Sequence, residues 1–209
     1  MDKASPKRNS SFYHLYRMAL VAILTAIAEV LMLLEFPVWF VPPFYKIDFS
    51  EFPIIIGALA LGPVEGVVME LLKNLINLLI NGTDTAFVGE FANFLMGVSF
   101  VLPAALIYAR KKTKKRAVIG LVCSTVVAVV VGSLLNAYVL LPMYCKGGFT
   151  MEAIIEMGTK ANSAVKSLQT FILFGVAPFN LLKYTIVSVL TLISYKRISR
   201  ILKNPLERA

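Results

Sequence analysis

Near the C-terminus a lysine interrupts an otherwise apolar run, 171–195, and an asparagine stands one helical turn before it, in Ala177-Pro178-Phe179-Asn180-Leu181-Leu182-Lys183. If that run crosses a bilayer, an ammonium near its middle costs roughly 2.5–3.5 kcal/mol on insertion scales, so a partner residue, a water-filled cavity or a ligand must offset it. Asn180 and Lys183 are three apart and share a helix face. An amide both donates and accepts hydrogen bonds and an ammonium only donates, so together they suit a neutral or weakly anionic heterocycle with carbonyl and imide edges. The alternatives are a lysine that snorkels to an interface or one that pairs with a carboxylate.

The membrane premise rests on composition. Of 209 residues, 58% are hydrophobic and 16% charged, with a mean hydropathy of +0.76, against roughly 25% charged in an ordinary soluble domain. This predicts an all-α integral membrane protein. Helical apolar runs fall at about 16–34, 52–61, 64–80, 90–109, 117–141 and 171–195, and most approach the roughly 20 residues that cross hydrocarbon. The run 52–61 is too short alone and joins the next through Gly62-Pro63, so 52–80 is either one kinked span or two spans with a tight turn.

Charge placement decides between them. Most of the 21 basic residues sit in three clusters: Lys3, Lys7, Arg8 and Arg17; Arg110, Lys111, Lys112, Lys114, Lys115 and Arg116; Lys196, Arg197, Arg200, Lys203 and Arg208. Cytoplasmic loops collect lysine and arginine, so all three clusters are expected inside. An even number of crossings must then separate the first two, and 52–80 counts as two. Six transmembrane helices result, with N- and C-termini cytoplasmic: a basic segment 1–15, a six-helix domain 16–203 and a tail 204–209. The first apolar run lacks a small-residue cleavage site and reads as a retained span. The basic clusters read as topology signals, since no base-stacking aromatics interleave with them as nucleic-acid binding would need.

With this topology Asn93, Asn136, Asn180 and Lys183 gather from separate helices toward the outer half of the membrane, and a shared cavity is the economical explanation. Pro178 either frees a backbone carbonyl for a ligand or bends the helix. The run 64–80 carries Glu70, Lys73, Asn74 and Asn77 on one face, either as structural glue or as a substrate or proton path. The loop 35–50 is rich in aromatics, among them Phe36, Trp39, Phe40, Phe44 and Tyr45; it forms an interfacial belt or a cover over a site. In the loop 142–170, residues 151–158 suit a short helix lying over the membrane surface as a lid. Ala22 and Ala26 form a small-xxx-small pattern that permits close helix approach.

Catalytic chemistry finds no support. There is no G-x-x-x-x-G-K-[ST] loop, no H-E-x-x-H, and no Ser/His/Asp set, since His14 is the single histidine. Cys123 and Cys145 suggest neither a disulfide framework nor a metal cluster. An intramembrane enzyme acting on a lipid head group would have only Glu70 with Lys73 to work with. Uphill transport would need energy from a partner or an ion gradient.

Six segments together resemble the riboflavin-specific substrate-binding subunit, or S component, of the energy-coupling factor (ECF) vitamin transporters: residues 42–53, 60–63, 72–79, 89–95, 136–138 and 177–183. The resemblance covers about 17–203. It implies six helices in the bacterial cell (plasma) membrane, and riboflavin or its phosphate FMN as transported ligand, with no cofactor. It further implies that Asn136, Asn180 and Lys183 hydrogen-bond the flavin and that the loop around Val41, Phe44 and Lys46 covers it. Ala22 and Ala26 would dock a membrane coupling protein driven by two cytoplasmic ATPase subunits. Another vitamin or precursor in the same architecture is the rival reading.

Overall fold

A computed structural model describes the backbone of residues 10–83, 87–148 and 150–208, and side chains between positions 11 and 194. The start of the basic N-terminal segment and the side chains of the C-terminal cluster and tail lie outside the described residues. The chain is almost wholly helical: α1 Ser10–Leu33, α2 Glu51–Leu61, α3 Pro63–Asn81, α4 Val88–Arg110, α5 Lys114–Leu135, α6 Leu141–Lys146, α7 Met151–Ala161, α8 Leu168–Phe171 and α9 Ala177–Arg208. Among the described residues a two-residue antiparallel ladder, β1 Phe36–Pro37 with β2 Lys46–Ile47, is the one departure from the expected all-α class, and it closes the loop 34–50 on itself.

Among the described residues four helical segments are long and apolar enough to cross a membrane: Ser11–Leu33, Val88–Arg110, Lys114–Lys146 and Leu168–Ser194. The stretch 51–81 is two helices rather than one kinked rod. Gly62, at φ 141°, ends α2, and Pro63 opens α3 where its missing N–H costs nothing. Arg17 of α1 clamps this turn by donating to the Leu61 carbonyl at 3.0 Å and pairing with Glu65. Close approach of the two helices requires Gly66, since a Cβ there would lie 2.6 Å from the Ala58 Cβ. At 11 residues α2 rises only roughly 16 Å, about half a hydrocarbon core.

The interior divides in two. One core joins the helices through Ile54, Ile55, Phe100, Val101 and Val187, with the Phe100 and Tyr184 rings stacked at 4.7 Å. The other lies at one end of the bundle, where Val38, Val41 and Ile47 of the loop pack on Leu141, Ile154, Val165 and Phe171. The short helix expected at 151–158 is present as α7, capped by the Thr150 hydroxyl, which accepts from the Ala153 N–H at 3.1 Å. Its apolar Ile154 is buried in the loop core.

The polar stripe of α3 finds its ionic partners inside the bundle. Lys73, fully buried, pairs with Glu51 of α2 at 2.8 Å and Glu70 at 2.9 Å, and donates to the Ser50 hydroxyl at 3.3 Å. Asn74 Nδ2 donates to the Glu70 carbonyl, and Asn77 Nδ2 donates to Glu29 of α1 at 3.2 Å. The stripe thus ties α3 to α1 and α2. Removing one partner of a buried ion cluster strands the others, at about 3–5 kcal/mol. Lys73→Met should therefore lower the melting temperature of the detergent-purified protein sharply, and adding Glu51→Gln and Glu70→Gln should restore most of the loss; a triple variant no more stable than K73M would contradict the clustering.

Candidate solute-binding site

Two local irregularities shape the site. Between α5 and α6 the chain makes a π turn, Asn136–Leu140, and between α8 and α9 another, Ile172–Val176. Such turns are often found at functional positions because one extra residue re-aims the side chains beside it. Asn136 opens the first, and Asn180 follows the second by one turn. Pro178 brings no N–H, and the Phe174 carbonyl four residues earlier accepts from Asn162 Nδ2 at 3.2 Å. The polar group loosened near Pro178 is thus met by the chain itself.

Asn93, Asn136, Asn180 and Lys183 converge on one cavity of about 260 Å³, with Phe44, Tyr45, Lys46 and Asp48 of the loop on its other side. Asn136, Asn180 and Lys183 are buried and Asn93 is half-buried. Asn136 Nδ2 donates to the Gly132 carbonyl at 2.8 Å, leaving Oδ1 to accept from the Tyr45 hydroxyl at 2.6 Å. Asn180 Nδ2 donates to the Val176 carbonyl at 3.1 Å, while its fully buried Oδ1 has no hydrogen-bond partner. A buried unpartnered acceptor costs about 1–3 kcal/mol, so it marks where a donor belongs. Space for Asn180 depends on Gly132, where a Cβ would lie 2.8 Å from Asn180 Nδ2.

Lys183 neither snorkels nor stands free. Its Nζ donates to Asp48 Oδ2 at 2.7 Å, and both groups are largely buried. Asp48 Oδ1 in turn accepts from the Ser50 N–H at 2.8 Å and from the Ser50 hydroxyl. Burial opposes ionisation of Asp48, but the Lys183 and Lys73 ammoniums and these hydrogen bonds outweigh it and hold the carboxyl below its usual range. The phenol of Tyr45 is pushed above its usual value by burial and stays a neutral donor. Its ring packs edge-on against Phe179 at 5.3 Å and beside Phe171 at 6.0 Å.

The remaining loop residues divide. Phe44 lies over the cavity between the rings of Tyr45, at 4.8 Å, and Tyr144, at 5.6 Å. Lys46, at the rim, pairs with Glu35. Val41 is buried in the loop core and lines a neighbouring apolar groove with Trp39 and Met157 rather than this cavity. Ala22 and Ala26 are exposed on α1, away from the cavity. Sequence reasoning missed Asp48, Tyr45 and Gly132 as site-builders. A buried ammonium signals that a counter-ion must exist, but nothing local picks out Asp48, 135 residues away; Tyr45 stood out only as one of the loop aromatics, and nothing local marks Gly132.

A buried array of amides and an ammonium around one cavity, in a bundle of apolar helices, defines a membrane protein that binds a small polar solute. Comparison with known proteins gives the family. The model for the substrate-specific component of ECF transporters matches residues 16–195, and the chain belongs to that family: it is a transport subunit, not an enzyme. It is 38% identical over 187 residues to the riboflavin transporter RibU of Staphylococcus aureus (strain TCH60), covering 90% of this chain and 92% of that protein. It is 33% identical over 174 residues to the riboflavin transporter FmnP of Bacillus subtilis (strain 168), covering 83% and 86%. A solved structure of the S component of a bacterial ECF transporter superposes with a TM-score of 0.68 at 35% identity, over 90% of this chain and 97% of that one.

Because Asp48 is held below the usual carboxylate range, roughly 3.9 for an aspartate, its pair with Lys183 stabilises the fold fully above that range and is lost as pH falls toward the lowered folded value. The melting-temperature advantage of the wild type over Asp48→Asn in detergent should be constant from about pH 7 to 5 and shrink below about pH 4. An advantage independent of pH down to about 3 would show that the carboxylate charge contributes nothing.

Proposed function

We propose that this chain is a riboflavin-binding S component that takes the vitamin from the outer face of the bacterial plasma membrane and delivers it inward with an ECF coupling protein and two ATPase subunits. The observation that carries it is the unpartnered, fully buried Asn180 Oδ1, three residues from an ammonium whose counter-ion uses one of its three donors. The flavin pyrimidine edge presents an imide N–H between two carbonyls, which complements that acceptor and those donors. The riboflavin-transporting relatives point the same way.

In this reading Asn136, Asn180 and Lys183 hydrogen-bond the flavin ring, Asn93 lies beside it, and Phe44 and Lys46 cover it, with Val41 seating the loop behind them. The cavity of about 260 Å³ is near the lower end of ligand pockets, roughly 300–1,000 Å³, and Tyr45 and Asp48 of the loop already engage Asn136 and Lys183, so the loop 34–50 shifts to admit the solute. Tyr45 then yields the Asn136 acceptor to the ligand. FMN, with its added phosphate, fits the same ring site with a larger tail.

The topology proposed is six crossings with both ends cytoplasmic, the sequence dividing as 1–15, 16–203 and 204–209. The separation of α2 from α3 at Gly62 and the basic 110–116 loop support it. Ala22 and Ala26, exposed on α1, form the face that docks the coupling protein, where small side chains allow close and reversible helix contact.

Two outcomes are expected. Purified protein should quench riboflavin fluorescence with one-to-one saturation, and Lys183→Met should weaken binding at least tenfold, about 1.4 kcal/mol; unchanged affinity would show that Lys183 serves only its ion pair. Replacing Ala26 by leucine should leave riboflavin binding intact while abolishing uptake in cells that supply the coupling proteins, and normal uptake would count against α1 as the docking face.

A further inference from the structure

Among the described residues four charged side chains line the cavity, and they form two closed pairs: Asp48 with Lys183 and Glu35 with Lys46. The two pairs differ in kind. Lys46 and Glu35 are about two-fifths exposed at the rim, whereas the side chains of Lys183 and Asp48 are 9% and 12% exposed. Solvent screens the first pair, while the second acts at short range in a low-dielectric interior. Lys73, whose charge also acts on Asp48, is itself enclosed by Glu51 and Glu70. No excess positive charge therefore faces a bound ring, although a lysine does.

We propose that Asp48 is a specificity-determining residue: by closing a neutral ion pair with Lys183 it tunes the site to an uncharged heterocycle and against the anionic form of the same ring. The ligand class rests on the riboflavin reading above. Lys183 offers a hydrogen-bond donor without a net charge. Asp48 also positions it, because Ser50 anchors the carboxylate through two hydrogen bonds, and this fixes the direction from which Nζ approaches the cavity.

Flavin supplies a test, because its ring exists in both charge states. Two electrons and one proton convert the neutral oxidised ring into an anion whose charge lies along the N1–C2 carbonyl edge of the pyrimidine ring. The midpoint potential of bound riboflavin relative to free riboflavin therefore reports the ratio of affinities for the two forms, tenfold in that ratio being about 30 mV for a two-electron couple. A protein cation near that edge with no counter-ion raises the potential.

Anaerobic potentiometric titration of riboflavin bound to the detergent-purified protein at pH 8, alongside free riboflavin, is the experiment. For the wild type the bound potential should lie at or below the free value. Asp48→Asn keeps the shape but exposes the Lys183 charge, and should raise the potential by at least 30 mV, a tenfold swing toward the reduced anion; Asp48→Glu, which keeps the charge, should stay within half that shift of the wild type. A wild-type potential above that of free riboflavin overturns the proposal without recourse to any variant, as does a folded D48N protein with an unchanged potential. A wild type that binds no riboflavin at all, oxidised or reduced, overturns the riboflavin reading and this inference with it, whereas binding with the wrong potentials overturns this inference alone.

Discussion

Burying cations away from water is the constraint around which this molecule is arranged. Lys183 and Lys73 lie inside a bundle whose outer surface is apolar, and each is tolerable only with anions in direct contact. The anions come from separate places: Asp48 from the loop, Glu51 from the start of α2, Glu70 from α3. Because Ser50 contacts both Asp48 and Lys73, the two ion clusters merge into one network from α9 through the loop to α3. The loop is thereby fastened by the same interaction that makes the solute site possible.

That fastening explains why a loop with so little regular structure has a buried interior. Val38, Val41 and Ile47 form a second core with α6, α7 and the start of the last helical segment, and the short β1–β2 ladder holds the loop's ends together. In this structure the cavity's polar groups are largely occupied by loop residues. Tyr45 occupies Asn136 and Asp48 occupies Lys183, while Asn180 Oδ1 is left unpartnered. If a solute binds there as proposed, it exchanges hydrogen bonds with the loop rather than creating all of them anew, which would keep empty and loaded states near in energy.

The helix irregularities serve the same end. A regular α-helix directs its backbone polar groups inward along its own axis and leaves few side-chain directions into a cavity. The π turns at 136–140 and 172–176 place Asn136 and Asn180 beside breaks in that regularity, where their amides bond to neighbouring carbonyls and are held in one orientation. Gly132 lets α5 approach closely enough for Asn180 to sit against it. Preorganised amides need little further ordering when a ligand arrives, and that favours binding.

Much of this was legible in the sequence. Apolar runs located α2, α3 and α4 to within about two residues because burial in lipid demands long apolar runs, whereas α1 begins at Ser10 and α9 continues to Arg208, past the apolar runs; Gly62-Pro63 marked a kink or a turn, and charge placement pointed to two helices. Asn93, Asn136, Asn180 and Lys183 stood out because polar groups are costly in apolar runs, and the tertiary structure brings all four to one cavity. What the linear order did not carry was pairing between distant positions. Asp48 and Lys183 are 135 residues apart and Tyr45 and Asn136 are 91 apart, so neither contact has a local signature. Val41 was expected among the covering residues and packs behind the loop instead, because which face of an irregular loop turns inward is set by the helices it meets. The sequence by itself determined that buried charges exist and need partners; only the folded bundle decided which partners, because Coulomb attraction and close packing act on distances in space rather than along the chain.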